Sequence, residues 1–118
     1  MEDEEDIARL IVHLLEEGGF RVHRPDRSSS LIRDAEKHQP AVFILDLMLP
    51  EVDGFQLCCS IRAHKILKKI PILILTARTE SRDRKRALES GADMYMTKPF
   101  QSSELIAAVR MLHARSTS

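Results

Sequence analysis

The sequence lacks an excess of charge of either sign, since 18 basic and 18 acidic residues give a net charge of zero. A balanced chain gives no overall electrostatic argument for binding nucleic acid or a membrane surface. It also lacks an apolar run long enough to cross a bilayer, and acids follow Met1 where a secretory signal would carry bases. We therefore expect a cytoplasmic protein that binds neither nucleic acid nor membrane directly.

Cysteine is scarce as well. The two cysteines, Cys58 and Cys59, are neighbours in a stretch with helical character. A disulfide between adjacent residues of a helix would be strained, so we expect both to act as small apolar residues in a reducing compartment. The five histidines show no spacing typical of metal ligands, and we expect them to be solvated.

Patterns typical of helices and strands alternate along the chain. Its 118 residues suffice for a single domain over residues 1–118, and no internal repeat divides it. Strands are predicted over residues 20–23, 41–46, 72–76 and 94–97. Five helices are predicted. The first covers residues 4–17, the second runs from a cap at residues 28–30 to residue 37, and the third begins at Gly54 with Asp53 as its N-cap. The fourth covers residues 81–90, and the last carries Leu105, Ala108, Val109 and Leu112 on one face. This order predicts an α/β fold, a doubly wound parallel sheet covered on both faces.

Three polar residues follow or end successive predicted strands. Asp46 follows an apolar run, Thr76 ends the next strand, and Lys98 comes after the last one. Open parallel sheets carry their chemistry at the carboxyl ends of their strands. We therefore expect the carboxylate, the hydroxyl and the amine to form one site.

The start of the chain carries two further acids, Glu2 and Asp3, that would normally follow a strand. Only Met1 precedes them, so the first strand is apparently truncated, and we expect the native gene product to have about five more apolar residues before Glu2. If Glu2 and Asp3 meet Asp46, three carboxylates repel one another unless a cation lies among them. Oxygen ligands and an incoming phosphate favour Mg²⁺.

The predicted site suits phosphoryl transfer. Asp46 would be the nucleophile and would form an aspartyl phosphate. Lys98 supplies a fixed positive charge that can pair with a carboxylate or a phosphoryl oxygen, and Thr76 supplies a hydroxyl donor. The hypothesis depends on the three residues together, because an aspartate after a strand is often only a helix cap or a turn former.

These motifs resemble the receiver domain of two-component response regulators. The resemblance runs nearly from end to end and is carried by Glu2-Asp3, by residues 46–50 with Asp53-Gly54, and by residues 75–77, 91–93 and 98–100. It implies a flavodoxin-like parallel sheet of strand order 2-1-3-4-5 with five helices. It also implies a signalling domain that catalyses its own phosphorylation and dephosphorylation.

The resemblance assigns roles to individual residues. It implies that Asp3 and Asp46 bind Mg²⁺ directly, that the backbone carbonyl of Met48 is a third protein ligand, and that Glu2 acts mostly through water.

In the same way, Thr76 would contact the phosphoryl group and Lys98 would form an ion pair with it. Tyr95 matches an aromatic residue that rotates when Thr76 moves towards the phosphate, which switches the face formed by the last two helices and the last strand.

The partners implied are a sensor histidine kinase or phosphotransfer protein, expected to dock on the first helix, and an unknown downstream output domain or protein. A phosphorylation-dependent dimer is possible, because Arg84 and Glu104 retain one charge pair used by related dimers, whereas Met94 and Ala108 replace both members of another.

Other interpretations remain open. Glu2 and Asp3 could simply complement the dipole of the first helix. A haloacid-dehalogenase-type phosphatase also has an aspartate nucleophile and Mg²⁺, but needs a second aspartate where this chain has Met48. A pseudo-receiver, a binding module of the same fold that is never phosphorylated, is the alternative that the missing first strand favours. The basic residues of the stretch 82–86, together with Arg78, are expected to form a solvated helix face; the alternative is a surface that binds a partner.

Overall fold

The computed structural model describes residues 4–23, 30–46, 53–77 and 80–116. Within these ranges lie five helices and three strands. The helices are α1 Glu4–Glu17, α2 Leu31–His38, α3 Gly54–Ala63, α4 Ser81–Glu89 and α5 Ser102–Ser116; the strands are β1 Phe43–Leu45, β2 Ile72–Thr76 and β3 Met94–Thr97. No helix in the described ranges is long and apolar enough to span a membrane.

The described strands form one parallel sheet in the order β1-β2-β3. Leu45 pairs with Ile74, and Thr76 pairs with Thr97, so the strand ends are nearly level. These strands are the third, fourth and fifth of the predicted order, and the parallel α/β fold is confirmed. The start of the chain, for which a truncated first strand is predicted, and the acids that would follow that strand lie outside the described residues.

The predicted strand over residues 20–23 is wrong, because these residues form no ladder with any described strand. Their apolar side chains are used for packing instead. Phe20 and Val22 lie against the core between the sheet and α5, and the ring of Phe20 is 5.8 Å from the ring of His113. The alternation of apolar residues there reflects packing onto a helix.

Side-chain alternation along the strands builds a core on each face of the sheet. One face carries Phe43, Leu45, Ile72 and Ile74, packed against α3 and Ala87 of α4. The other carries Ile44, Leu73, Leu75, Met94 and Met96, packed against α1 and α5. Leu105, Ala108, Val109 and Leu112 are all buried, which confirms the predicted face of α5. The sheet is therefore covered on both sides.

Arg62, near the end of α3, ties together the amino ends of β2 and β3. Its guanidinium donates to the carbonyls of Gly91 at 2.9 Å and Ile70 at 2.7 Å, and to Oδ2 of Asp93 at 2.7 Å. The same Asp93 oxygen accepts from the backbone N–H of Ile72 at 2.8 Å. One arginine therefore fixes where the two strands enter the sheet. At their opposite ends, Thr76 is the last residue of β2 and Lys98 directly follows β3.

The cysteines behave as predicted with respect to pairing. Cys58 is buried, Cys59 is exposed, and neither forms a disulfide. Burial raises the pKa of the Cys58 thiol to about 11, because the thiolate would lose its hydration. Cys58 is therefore a small apolar core residue.

The expectation that all histidines are solvated is wrong for His64. Its Nδ1 accepts from the backbone N–H of Ile66 at 3.1 Å, and its Nε2 lies 3.2 Å from a carboxylate oxygen of Glu36. A ring nitrogen that accepts backbone hydrogen bonds in a tight turn leaves no spacing pattern in the sequence, which is why this role was not predicted.

Candidate functional site

The three polar residues predicted from the strand ends lie at the carboxyl edge of the sheet. Asp46 directly follows β1, Thr76 is the last residue of β2, and Lys98 directly follows β3. The backbone N–H of Lys98 donates to the carbonyl of Thr76 at 2.8 Å, which extends the ladder between β2 and β3 by one bond. The parallel register therefore brings residues from three separate stretches of sequence to one edge.

Asp46 and Lys98 form an ion pair at this edge. Nζ of Lys98 lies 2.7 Å from Oδ2 of Asp46, and the lysine and aspartate side chains are 11% and 18% exposed. A charge-assisted hydrogen bond of this length between largely buried groups is stronger than a surface ion pair. Because 52 positions separate the two residues, the pair depends on the assembled sheet.

Thr76 is fully buried, and Tyr95 is half-buried on the neighbouring strand. Tyr95 pairs in register with Ile74, two residues before Thr76. Residues two apart on a strand share a face, so Thr76 and Tyr95 lie on the same face of the sheet. Tyr95 also packs against the core formed with α3.

Three residues of the predicted magnesium site, Glu2, Asp3 and Met48, lie outside the described residues. Of that predicted set, Asp46 alone falls within the described ranges. The described part of the chain contains no cluster of three His, Cys, Asp or Glu side chains that could hold a metal ion. The ligand set therefore stays a prediction.

Asp53 fixes the beginning of α3, at the end of the segment that follows Asp46. Its Oδ1 accepts from the backbone N–H of Phe55 at 2.9 Å, which confirms the predicted N-cap. Phe55 is buried beneath this first turn. The cap sets where α3 begins, and the helix then enters the core.

Arg86 of α4 is a residue whose contacts were not predicted. Its guanidinium carbon lies 4.1 Å from the centre of the Phe55 ring, and Nη2 lies 4.0 Å from Oδ2 of Asp53. The sequence indicates only that Arg86 belongs to a basic, solvated stretch. A preference for an aromatic face is not visible in that stretch, because Phe55 lies on another helix.

The chain as a whole is similar to a known family. Its sequence matches the response regulator receiver domain over residues 1–110. The transcriptional regulatory protein CreB of Escherichia coli (strain K12) is 43% identical over 115 residues, which is 98% of this chain and 49% of CreB. The alkaline phosphatase synthesis transcriptional regulatory protein PhoP of Bacillus subtilis (strain 168) is 40% identical over 116 residues, 98% of this chain and 48% of PhoP.

A solved structure gives the same result for the fold. The receiver domain of sensor histidine kinase PA1611 from Pseudomonas aeruginosa PAO1 has a magnesium ion coordinated in its active site cleft. It superposes with a TM-score of 0.82 at 30% identity and covers 100% of this chain and 94% of its own. The present chain spans about half the length of the curated relatives it matches.

Proposed function

Because this chain belongs to the response regulator receiver domain family, we propose that it accepts a phosphoryl group on Asp46 from a sensor histidine kinase or phosphotransfer protein. The observation that carries the proposal is the ion pair of 2.7 Å between Asp46 and Lys98 at the carboxyl edge of the sheet. A carboxylate held there by a lysine is partly exposed and faces the side on which open α/β sheets bind their ligands.

The proposed step moves one phosphoryl group. A carboxylate oxygen of Asp46 attacks phosphorus, a new oxygen–phosphorus bond forms, and the bond to the donor's leaving group breaks. Lys98 then exchanges its carboxylate partner for a phosphoryl oxygen, which needs little movement because the amine is already within hydrogen-bonding distance of Asp46. The hydroxyl of Thr76 would donate to a second phosphoryl oxygen.

The donor set fits Mg²⁺. Asp46 provides a hard oxygen ligand, and Asp3, the carbonyl of Met48 and, through water, Glu2 are proposed to complete the set. The magnesium described for the PA1611 receiver domain supports this assignment. When bound, Mg²⁺ would neutralise negative charge on the carboxylates and on the incoming phosphoryl oxygens, so that an anionic donor can approach.

The switch is proposed to run from Thr76 to Tyr95. The two residues lie on one face of adjacent strands, so a small movement of Thr76 towards the phosphate would open room for the Tyr95 ring. That change would bias the face formed by α4, β3 and α5, to which a downstream output domain, a partner protein or a second copy would bind. Residues 1–118 are proposed to act as a single domain in this process.

Phosphoryl labelling with and without Mg²⁺ tests the proposal. Incubation with acetyl phosphate is expected to add the mass of one phosphoryl group to the intact protein in Mg²⁺, and no mass when EDTA removes the metal. The physical reason is that clustered carboxylates repel an anionic donor unless a cation is present. Absence of labelling in both samples would favour the pseudo-receiver, and equal labelling in both would contradict the metal requirement.

A Lys98→Ala variant separates metal binding from signalling. It is expected to bind Mg²⁺ at least as well as the wild type, because a competing positive charge is removed. Its response to phosphorylation is expected to fall about tenfold, a typical strength for coupling between sites. Tyr95 is the sole tyrosine and the chain has no tryptophan, so intrinsic fluorescence reports the Tyr95 environment. The exposed Lys69 supplies the matched control, Lys69→Ala, and a full fluorescence response of Lys98→Ala would refute the ion-pair role.

A further inference from the structure

Helix α4 is held to the body of the protein by few apolar contacts. Of its nine residues, all of which the structure describes, Ala87 is the buried one, and Leu88 is 44% exposed. A helix that buries so little apolar surface gains little stabilisation from packing. Its resting position must therefore depend strongly on its remaining contacts.

Arg86 makes a polar contact between α4 and α3. The guanidinium covers the ring of Phe55 at 4.1 Å and lies 4.0 Å from Asp53. Phe55 is buried, so its ring is a fixed platform, and a cation over a fixed aromatic face makes a favourable electrostatic contact.

Both contacts of Arg86 fall on the same turn of α3. Asp53 uses Oδ1 to cap the helix through the N–H of Phe55 and presents Oδ2 to Arg86. This turn begins at the end of the segment that follows Asp46. Arg86 therefore connects α4 to the first helix that follows Asp46 in the sequence.

We propose that Arg86 is a positioning residue that holds α4 in its resting position by binding the first turn of α3. Release of this contact frees α4, which leads through Gly91 into β3 and so to Tyr95 and Lys98. The consequence for signalling rests on the proposed function. The restraint on α4 is a property of the unphosphorylated protein and can be measured without any phosphoryl transfer.

Hydrogen exchange of the unphosphorylated protein tests this role. Arg86→Ala is expected to speed exchange of the α4 amides about two- to fivefold, the change that loss of a cation–π contact at an exposed arginine implies. The matched control is Arg82→Ala on the same helix, since Arg82 is highly exposed and pairs with its neighbour Glu80. That control is expected to leave α4 exchange unchanged.

Two more variants distinguish positioning from general stability. Arg86→Lys keeps the charge but loses the planar stacking group, and is expected to give partial protection of α4. Asp53→Asn keeps a good N-cap but removes the charge, and is expected to act mainly on α4 as well.

In Arg86→Ala, the Tyr95 fluorescence of unphosphorylated protein is expected to shift towards the value of the phosphorylated wild type. Equal α4 exchange in Arg86→Ala and Arg82→Ala, or faster exchange spread evenly over all helices and strands, would overturn the proposal. Failure of phosphoryl labelling would instead count against the proposed function, and the exchange result would still decide the role of Arg86.

Discussion

An Asp46→Asn variant is expected to lose phosphoryl labelling completely while keeping the fold. The amide is nearly the same size as the carboxylate and its oxygen can still accept a hydrogen bond from Lys98, but it is not a nucleophile towards phosphorus. Loss of the charge leaves the largely buried Lys98 without its counter-ion and should cost about 2 kcal/mol of folding free energy, which is below the total stability of a typical domain. Labelling is measured by intact mass with acetyl phosphate and Mg²⁺.

The control for this variant is Asp34→Asn. Asp34 lies on α2 and pairs with His23 at 3.5 Å, and it is not one of the residues of the proposed site, so the same chemical change there should leave labelling at the wild-type level. Circular dichroism of both variants checks that the fold is retained. Equal labelling of Asp46→Asn and wild type would show that the acceptor is another residue.

The largest effect on stability is expected from Arg62→Ala. The side chain is 25% exposed, and its loss removes hydrogen bonds to the carbonyls of Lys68, Ile70 and Gly91 as well as the contact with Asp93. Such losses at a largely buried arginine should cost about 3 kcal/mol. Urea unfolding measures the cost as a lower midpoint with an unchanged slope.

Arg110→Ala is the matched control for Arg62→Ala. Arg110 makes a hydrogen bond of 3.3 Å to the carbonyl of Gly18 at the surface, so its removal should change stability by less than about 0.5 kcal/mol. If both variants unfold at the same urea concentration, the hydrogen bonds of Arg62 do not set the stability of the amino edge of the sheet. The position of the Arg62 side chain also requires glycine at position 91, since a Cβ there would lie 2.4 Å from Cγ of Arg62.

Local signals made much of the fold predictable from the sequence. The bounds of α1 agree with the prediction over residues 4–17, because apolar spacing and the following glycines define a helix over a short stretch. The N-cap at Asp53 and the buried face of α5 were predicted for the same reason, since each depends on residues within a few positions of one another.

Contacts that join distant segments were not predictable in this way. The partners of Arg62 are mostly backbone carbonyls in other segments, and carbonyls carry no sequence signal. The stacking of Arg86 on Phe55 joins two helices, and nothing in the basic stretch around Arg86 singles out one of its members. The wrong prediction of a strand over residues 20–23 has a related cause: the local alternation of apolar residues is typical of a strand, but these residues pack against a helix from a distant part of the chain.

The proposed site has one feature that the sequence predicts and one that it does not. Parallel strands place their carboxyl ends at one edge, and this rule alone is enough to predict that Asp46, Thr76 and Lys98 lie at the same edge. The short distance between Asp46 and Lys98 depends on the assembled sheet, so it has no counterpart in the spacing of the sequence. The roles of all three residues, and the positions of Glu2, Asp3 and Met48, remain predictions.

Chemical trapping of the acceptor residue tests the central claim most directly. Borohydride reduces an aspartyl phosphate to homoserine, which peptide sequencing by mass spectrometry locates. After treatment with acetyl phosphate and Mg²⁺, we predict homoserine at position 46, and aspartate there when EDTA is present. Homoserine at another position, or aspartate retained at position 46 in a fully labelled sample, would contradict the assignment of Asp46 as the phosphoryl acceptor.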